Sequence, residues 1–90
     1  MKKAVVTVVG KDRVGIISSV SGLLCENNVN ILDISQTILQ GMFTMMMLVD
    51  VENSKTKFVE LADILSAEGN KLGVEVRMQL EDIFQAMHRI

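Results

Sequence analysis

Residues with reactive or chelating side chains are sparse in this chain of 90 residues, which holds one cysteine, Cys25, and one histidine, His88. A nucleophile needs a positioned base, and a structural zinc site needs Cys or His repeated at short spacing. No histidine triad, His-rich metal site or Cys/His cluster can therefore be assembled. Cys25 follows Leu24 in a helical pattern and reads as a small buried core residue, with no second cysteine for an internal disulfide. His88 reads as an exposed helical residue. The acidic side chains are spread along helix and strand faces, and no pair suits general acid and base work. No catalytic residue, metal or cofactor is expected.

The polar residues that do gather lie in Gly10-Lys11-Asp12-Arg13-Val14-Gly15-Ile16, a loop that should join a strand to a helix. Two readings of it stand. In one, Asp12 caps the helix, Lys11 and Arg13 are solvated, and the two glycines only permit the turn. In the other, free backbone N–H groups and the positive end of the helix dipole receive a carboxylate or phosphate, with Gly15 letting the ligand approach the backbone. The Gly-x-x-x-x-Gly spacing lacks the Lys-Ser/Thr pair of a phosphate-binding P-loop, and Gly-x-Gly-x-x-Gly is absent, so nucleotide binding is not supported. Asn28, Asn30 and Asp33 sit further on, where the chain should enter its second strand. They suit turn and edge positions, and Asn30 also offers an amide to a ligand's amino or carboxyl group.

The elements that must position this loop follow from hydrophobic spacing. Ala4 to Val9 is a β-branched run apolar on both alternating sets, expected to be a central strand buried on both faces and ended by Gly10. Ile16, Ile17, Val20, Leu23 and Leu24 share one helical face, closed by Asn27-Asn28. From Asn30 to about Gln40 the period is two, with Leu32, Ile34 and Ile38 against Asp33, Ser35 and Thr37. Gly41 then turns the chain into a second alternating strand carrying Phe43, Met45, Met47, Val49 and Val51 on one side. Ser54 is placed to cap a second helix bearing Phe58, Leu61, Ala62 and Leu65. Gly69 should weaken that helix and Gly73 stop it. Val74, Val76, Met78 and Leu80 alternate with Glu75, Arg77 and Gln79 in a last strand, and Ile83, Phe84, Met87 and Ile90 suggest a short terminal helix.

The order β-α-β-β-α-β is the split β-α-β arrangement, an α+β ferredoxin-like sandwich: a four-stranded antiparallel sheet with two helices on one face and a short C-terminal helix. Right-handed crossovers put both helices on the same side, so Met46 and Leu48 on the other face need cover from the terminal segment or a second subunit. Ninety residues make one domain of thin stability margin. Aromatics are 3% of residues against 49% hydrophobic, so aliphatic side chains and seven methionines must fill the core. A net charge of -2 and a pI near 5.2 argue against nucleic acid as a partner, and Phe43 is the only stacking ring on the central strands. Lys11, Asp12 and Arg13 interrupt the apolar run after Met1-Lys2-Lys3 too early for a secretory signal, and no stretch of about 18 apolar residues spans a membrane. A cytoplasmic protein is expected.

Val8-Val9-Gly10-Lys11-Asp12-Arg13-Val14-Gly15-Ile16, followed by Val29-Asn30-Ile31, resembles the two most recognisable stretches of the ACT domain, a small ligand-binding module of amino-acid metabolism. The resemblance covers residues 3 to 80. With Ile83-Phe84-Gln85-Ala86-Met87 it is nearest to stand-alone ACT proteins similar to the repressor of the glycine cleavage system. It implies an ACT domain over 1–80 with a helical extension over 81–90. The function it implies is that of a non-catalytic regulatory domain that binds a small molecule, an amino acid, as a homodimer or tetramer and acts through a partner protein. By position, Asp12, Arg13, Val14, Gly15 and Ile16 would form the loop side of the pocket, and Asn30 and Ile31 the facing side. Many ACT sequences have Pro where Val14 stands, so this loop should be less pinned before binding. Two alternatives remain: a small phosphatase similar to acylphosphatase, with Arg13 as cation and Asn30 positioning water, though its Val-Gln-Gly-Val-x-Phe-Arg run is missing, and a ligand-free assembly module.

Overall fold

The β-branched run near the N-terminus forms strand β1, Lys3–Lys11, and the strand carries on through Gly10 instead of ending there. The computed structural model describes residues 1–83. Helix α1, Ile16–Glu26, strands β2, Asn30–Leu39, and β3, Met42–Asp50, helix α2, Phe58–Leu72, and strand β4, Val74–Leu80, follow in the expected order. The sheet order is β2-β3-β1-β4 and every neighbouring pair is antiparallel. Residues 81–83 are helical, while Phe84, Met87 and Ile90 lie outside the described residues.

Alternation decides which side of the sheet is dry. Ala4, Val6 and Val8 of β1, Phe43, Met45, Met47 and Val49 of β3, and Val74, Val76 and Met78 of β4 share one face and meet Ile16, Val20 and Leu24 of α1 and Leu61 and Leu65 of α2 in a single core. Both helices therefore cover the same face. On the opposite face Val5 is buried but Val9 is 45% exposed and Thr7 only half-buried, so β1 is central without being dry on both sides. Among the described residues no third layer covers that face at Val9, and Met46 is likewise exposed there, with Leu48 half-buried.

Local signals succeed at turns and fail at helix starts. Gln40 and Gly41 both have positive φ, 52° and 80°, as a two-residue hairpin turn requires, and Gly73 ends α2 at φ 76°. Ser54 does not cap α2. Its hydroxyl donates to the Thr56 carbonyl at 2.8 Å and accepts from the Thr56 N–H, which shapes the turn ahead of the helix, and Lys57 holds the cap position with no side-chain bond. Cys25 is exposed, not buried. It lies one residue beyond the Ile16-Val20-Leu24 stripe, and one residue turns a helix by about 100°. Polar contacts between α1 and the β3–α2 connection add a clasp: Thr56 Oγ1 donates to Asn27 Oδ1 at 2.6 Å, Lys55 N–H to the Asn27 carbonyl at 2.8 Å, and Asn28 Nδ2 to the Asn53 carbonyl at 3.0 Å.

Gly69 is the position where helix propensity misleads. It is buried against β4, and a Cβ there would come within 2.7 Å of Val76 Cγ2 and 2.8 Å of the Val74 carbonyl oxygen. The missing side chain is what lets α2 lie close on the sheet. Gly22, in the middle of α1, has open space where its Cβ would go. Alanine should therefore act with opposite signs at the two sites. Gly22→Ala should gain about 0.5–1 kcal/mol from helix propensity. Gly69→Ala should lose about 1–3 kcal/mol from overpacking against a backbone atom that cannot rotate away. Urea unfolding midpoints of the two variants check this.

Candidate functional site

The residues between β1 and α1 are held by main-chain acceptors on two other elements. Asp12 N–H donates to the Gly41 carbonyl at 2.9 Å, which fastens the loop to the hairpin turn. Arg13 Nη1 donates to the Leu72 carbonyl at 3.1 Å, placing a guanidinium on the carbonyl-rich, partially negative end of α2. Between these anchors and the helix, Val14 is 97% exposed. Gly15 adopts φ 94° with nothing near its missing Cβ, and Ile16 turns inward to the core.

Gly15, not Asp12, occupies the cap position of α1, because the chain needs a left-handed residue to swing from the loop into the helix. A capping carboxylate would have to reach the second or third helical N–H, and Asp12 stands four residues before Ile16. No side chain caps the helix, and its first turn holds no acidic residue. Ser18 Oγ turns back to donate to the Gly15 carbonyl at 3.2 Å, leaving the first-turn N–H groups without a side-chain acceptor. Lys11, Asp12 and Arg13, with Leu72 and Gly73, line an open depression of about 330 Å³ beside this end of the molecule.

The structure gathers Asp12, Arg13, Val14, Gly15 and Ile16 at one end of the sheet and places Asn30 and Ile31 at the other. Asn30 is level with Asp50 and Lys3, whereas the loop leaves from Lys11, which is level with Met42 and Leu39. The separation is the length of β1, roughly 26 Å at about 3.3 Å per residue. Asn30 is exposed and Ile31 half-buried against the core. One chain therefore does not bring the two groups of residues together. Sequence reasoning missed the contribution of α2: Leu72 and Gly73 enter the loop's surroundings because the Gly73 stop aims the end of α2 at Arg13, a meeting that no local signal reveals.

A depression of about 370 Å³ at the other end, between Met1, Lys2, Lys3, Leu80, Glu81 and Asp82, offers less. Its N-terminal ammonium is already 2.7 Å from Glu52. Among the described residues no group of three or more His, Cys, Asp or Glu could hold a metal ion, and no helix is long and apolar enough to cross a membrane.

If Asp12 is no cap, removing its carboxylate is nearly silent. Asp12→Ala should change stability by less than about 0.5 kcal/mol, where loss of a true N-cap costs about 1 kcal/mol. Arg13→Ala should lose about 0.5–1 kcal/mol with its exposed bond to Leu72. Chemical denaturation of both variants decides the two roles.

Comparison with known proteins agrees with this architecture. The family model of the ACT domain matches residues 2–79. A UPF0237 protein of Methanocaldococcus jannaschii is 53% identical over 90 residues, covering all of both chains. Among solved structures, an ACT domain protein from Streptococcus pneumoniae superimposes with a TM-score of 0.80 at 44% identity, over 92% of this chain and 93% of its own. A putative glycine cleavage system transcriptional repressor superimposes at 0.74 with 26% identity, over 88% of this chain and 45% of its own.

Proposed function

The chain belongs to the ACT domain family, and from that premise we propose that it is a non-catalytic regulatory domain that binds a small polar metabolite, an amino acid, in the cytoplasm. The observation that carries this reading is the uncapped start of α1, opened by Gly15 and flanked by Arg13 and Lys11. A carboxylate there would accept the first-turn N–H groups in a favourable helix-dipole field. The Arg13 guanidinium keeps further N–H donors beyond the one on Leu72. Val14 would close over the aliphatic part of the ligand. An ammonium group needs acceptors that the loop lacks in number, and the Asn30 amide is the candidate carried over from the family pattern.

Because Asn30 and Ile31 stand at the far end of their own sheet, a second copy would have to present them to the loop. Binding then couples to assembly, and a partner protein that distinguishes the liganded from the free oligomer reads the result. The same separation of Arg13 from Asn30 weighs against a hydrolytic reading, since a phosphatase would need cation and water-positioning amide within a few ångströms of one phosphorus.

Thermal unfolding in the presence of single amino acids, glycine and serine included, tests the proposal. A ligand at about a hundred times its dissociation constant should add about 2.7 kcal/mol per site. Arg13→Ala and Asn30→Ala should each abolish the shift. A flat panel with an intact oligomer would sink the amino-acid reading and favour a ligand-free assembly module.

A further inference from the structure

On the face of the sheet turned away from the helices, dryness grows from one end to the other. Along β1, Val9 is 45% exposed, Thr7 is half-buried and Val5 is only 7% exposed. Both neighbours repeat the gradient. On β3 it runs from exposed Thr44 and Met46 to half-buried Leu48, and on β4 from exposed Glu75 and Arg77 to half-buried Gln79. The register sets Val5 level with Leu48 on one side and Gln79 on the other, so the dry ends of three strands lie in one row. On β2 the same face, with Asp33, Ser35 and Thr37, is exposed throughout.

Val5 is the telling member of that row. It is as buried as several core valines, yet it takes no part in the core that the helices close, because its side chain points the other way. Flanking strands shield a sheet residue from the sides and leave its outward end open, as Val9 shows. Something therefore lies over Val5. The burial is present in a single chain, so a second copy is not its source. The N-terminus does not supply the cover: Met1 is exposed, with its ammonium on Glu52. The row coincides with the end of β4 at Leu80, where residues 81–83 turn helical and Ile83 is still 52% exposed.

We propose that this dry row is a docking surface and that its occupant is the stretch 84–90 of the same chain. In the sequence Phe84, Met87 and Ile90 recur at helical spacing, with Gln85, His88 and Arg89 falling on the other side. Continued as a helix from residues 81–83, the stretch would rise about 1.5 Å per residue and reach roughly 10 Å, the width of two strand spacings. That carries it from β4 across β1 to β3, the three strands whose ends are dry, and short of β2, whose face is wet. The occupant covers Val5 and Leu48 and leaves Val9, Thr44 and Met46 open. The sheet is thus closed on both faces at the end where Asn30 stands, and on the helix face alone at the end where the Gly10 to Ile16 loop stands. Any contact made through the open face is then confined to the half beside that loop.

Methyl NMR of the full-length chain with a water-soluble paramagnetic agent reads the cover. In the parent protein the methyl groups of Val5 should be relaxed several-fold less than those of Val9, and those of Leu48 less as well. In the full-length Phe84→Asp, Met87→Asp variant both should rise to the level of Val9, while Val6 and Val8, on the helix side, keep their protection and report an intact core. Contacts from the Phe84 ring to the Val5 or Leu48 methyl groups identify the occupant in a mixture of isotope-labelled and unlabelled parent chains, and need no variant. They should arise within one chain. Unchanged protection in the folded variant, or no contact from Phe84 in the parent protein, would overturn the proposal. Contacts that cross between chains would also overturn it and assign the surface to a second copy.

Discussion

The fold depends on the dry ladder that β1 and its two neighbours build on one face of the sheet. Val6 lies between Met47 and Met78, and Val8 between Met45 and Val76, every one of them buried. Both helices owe their position to this ladder, since Ile16, Val20 and Leu24 of α1 and Leu61 and Leu65 of α2 are buried in the same core with it. A slip of one residue in β1 would turn Ala4, Val6 and Val8 to the open face and set Lys3, Thr7 and Lys11 on the face that meets the helices. The methionines of β3 suit this place: an unbranched thioether fills the space that rings fill in other cores, and the chain has three phenylalanines and no larger ring.

Period-two and period-3.6 spacing made the element order and almost the whole core readable from the residues. Phe43, Met45, Met47, Val49 and Val51 point inward as their alternation requires, and Gln40-Gly41 turns the hairpin where expected. The misreadings have separate causes. Asp12 and Ser54 have the right chemistry for caps, yet cap geometry is fixed by where the tertiary contacts start each helix, and that is at Ile16 and Phe58. Cys25 was misplaced by proximity to Leu24, although neighbours in a helix face different ways. Gly69 reads as a flaw until the opposing strand is known, because only Val74 and Val76 show why a side chain cannot stand there.

The candidate site was legible in its parts and not in its arrangement. Gly10 to Ile16 is a contiguous loop, so its residues must be close to one another. Whether Asn30 faces that loop is a question of strand direction and length: α1 and the connection after it carry the chain back to the far end of the sheet before β2 begins. Two motifs that look like neighbours in sequence are thus parted by the full height of the fold.

The loop's two restraints both end on carbonyl oxygens, those of Gly41 and Leu72, and neither depends on a neighbouring side chain as acceptor. Every residue type offers the same carbonyl. The anchorage at Leu72 is therefore blind to mutation of its own acceptor residue, and the side chains of Asp12 and Val14, unlike that of Arg13, take part in neither restraint. The side chains at Asp12 and Val14 can therefore change over evolutionary time while the frame beneath them stays put.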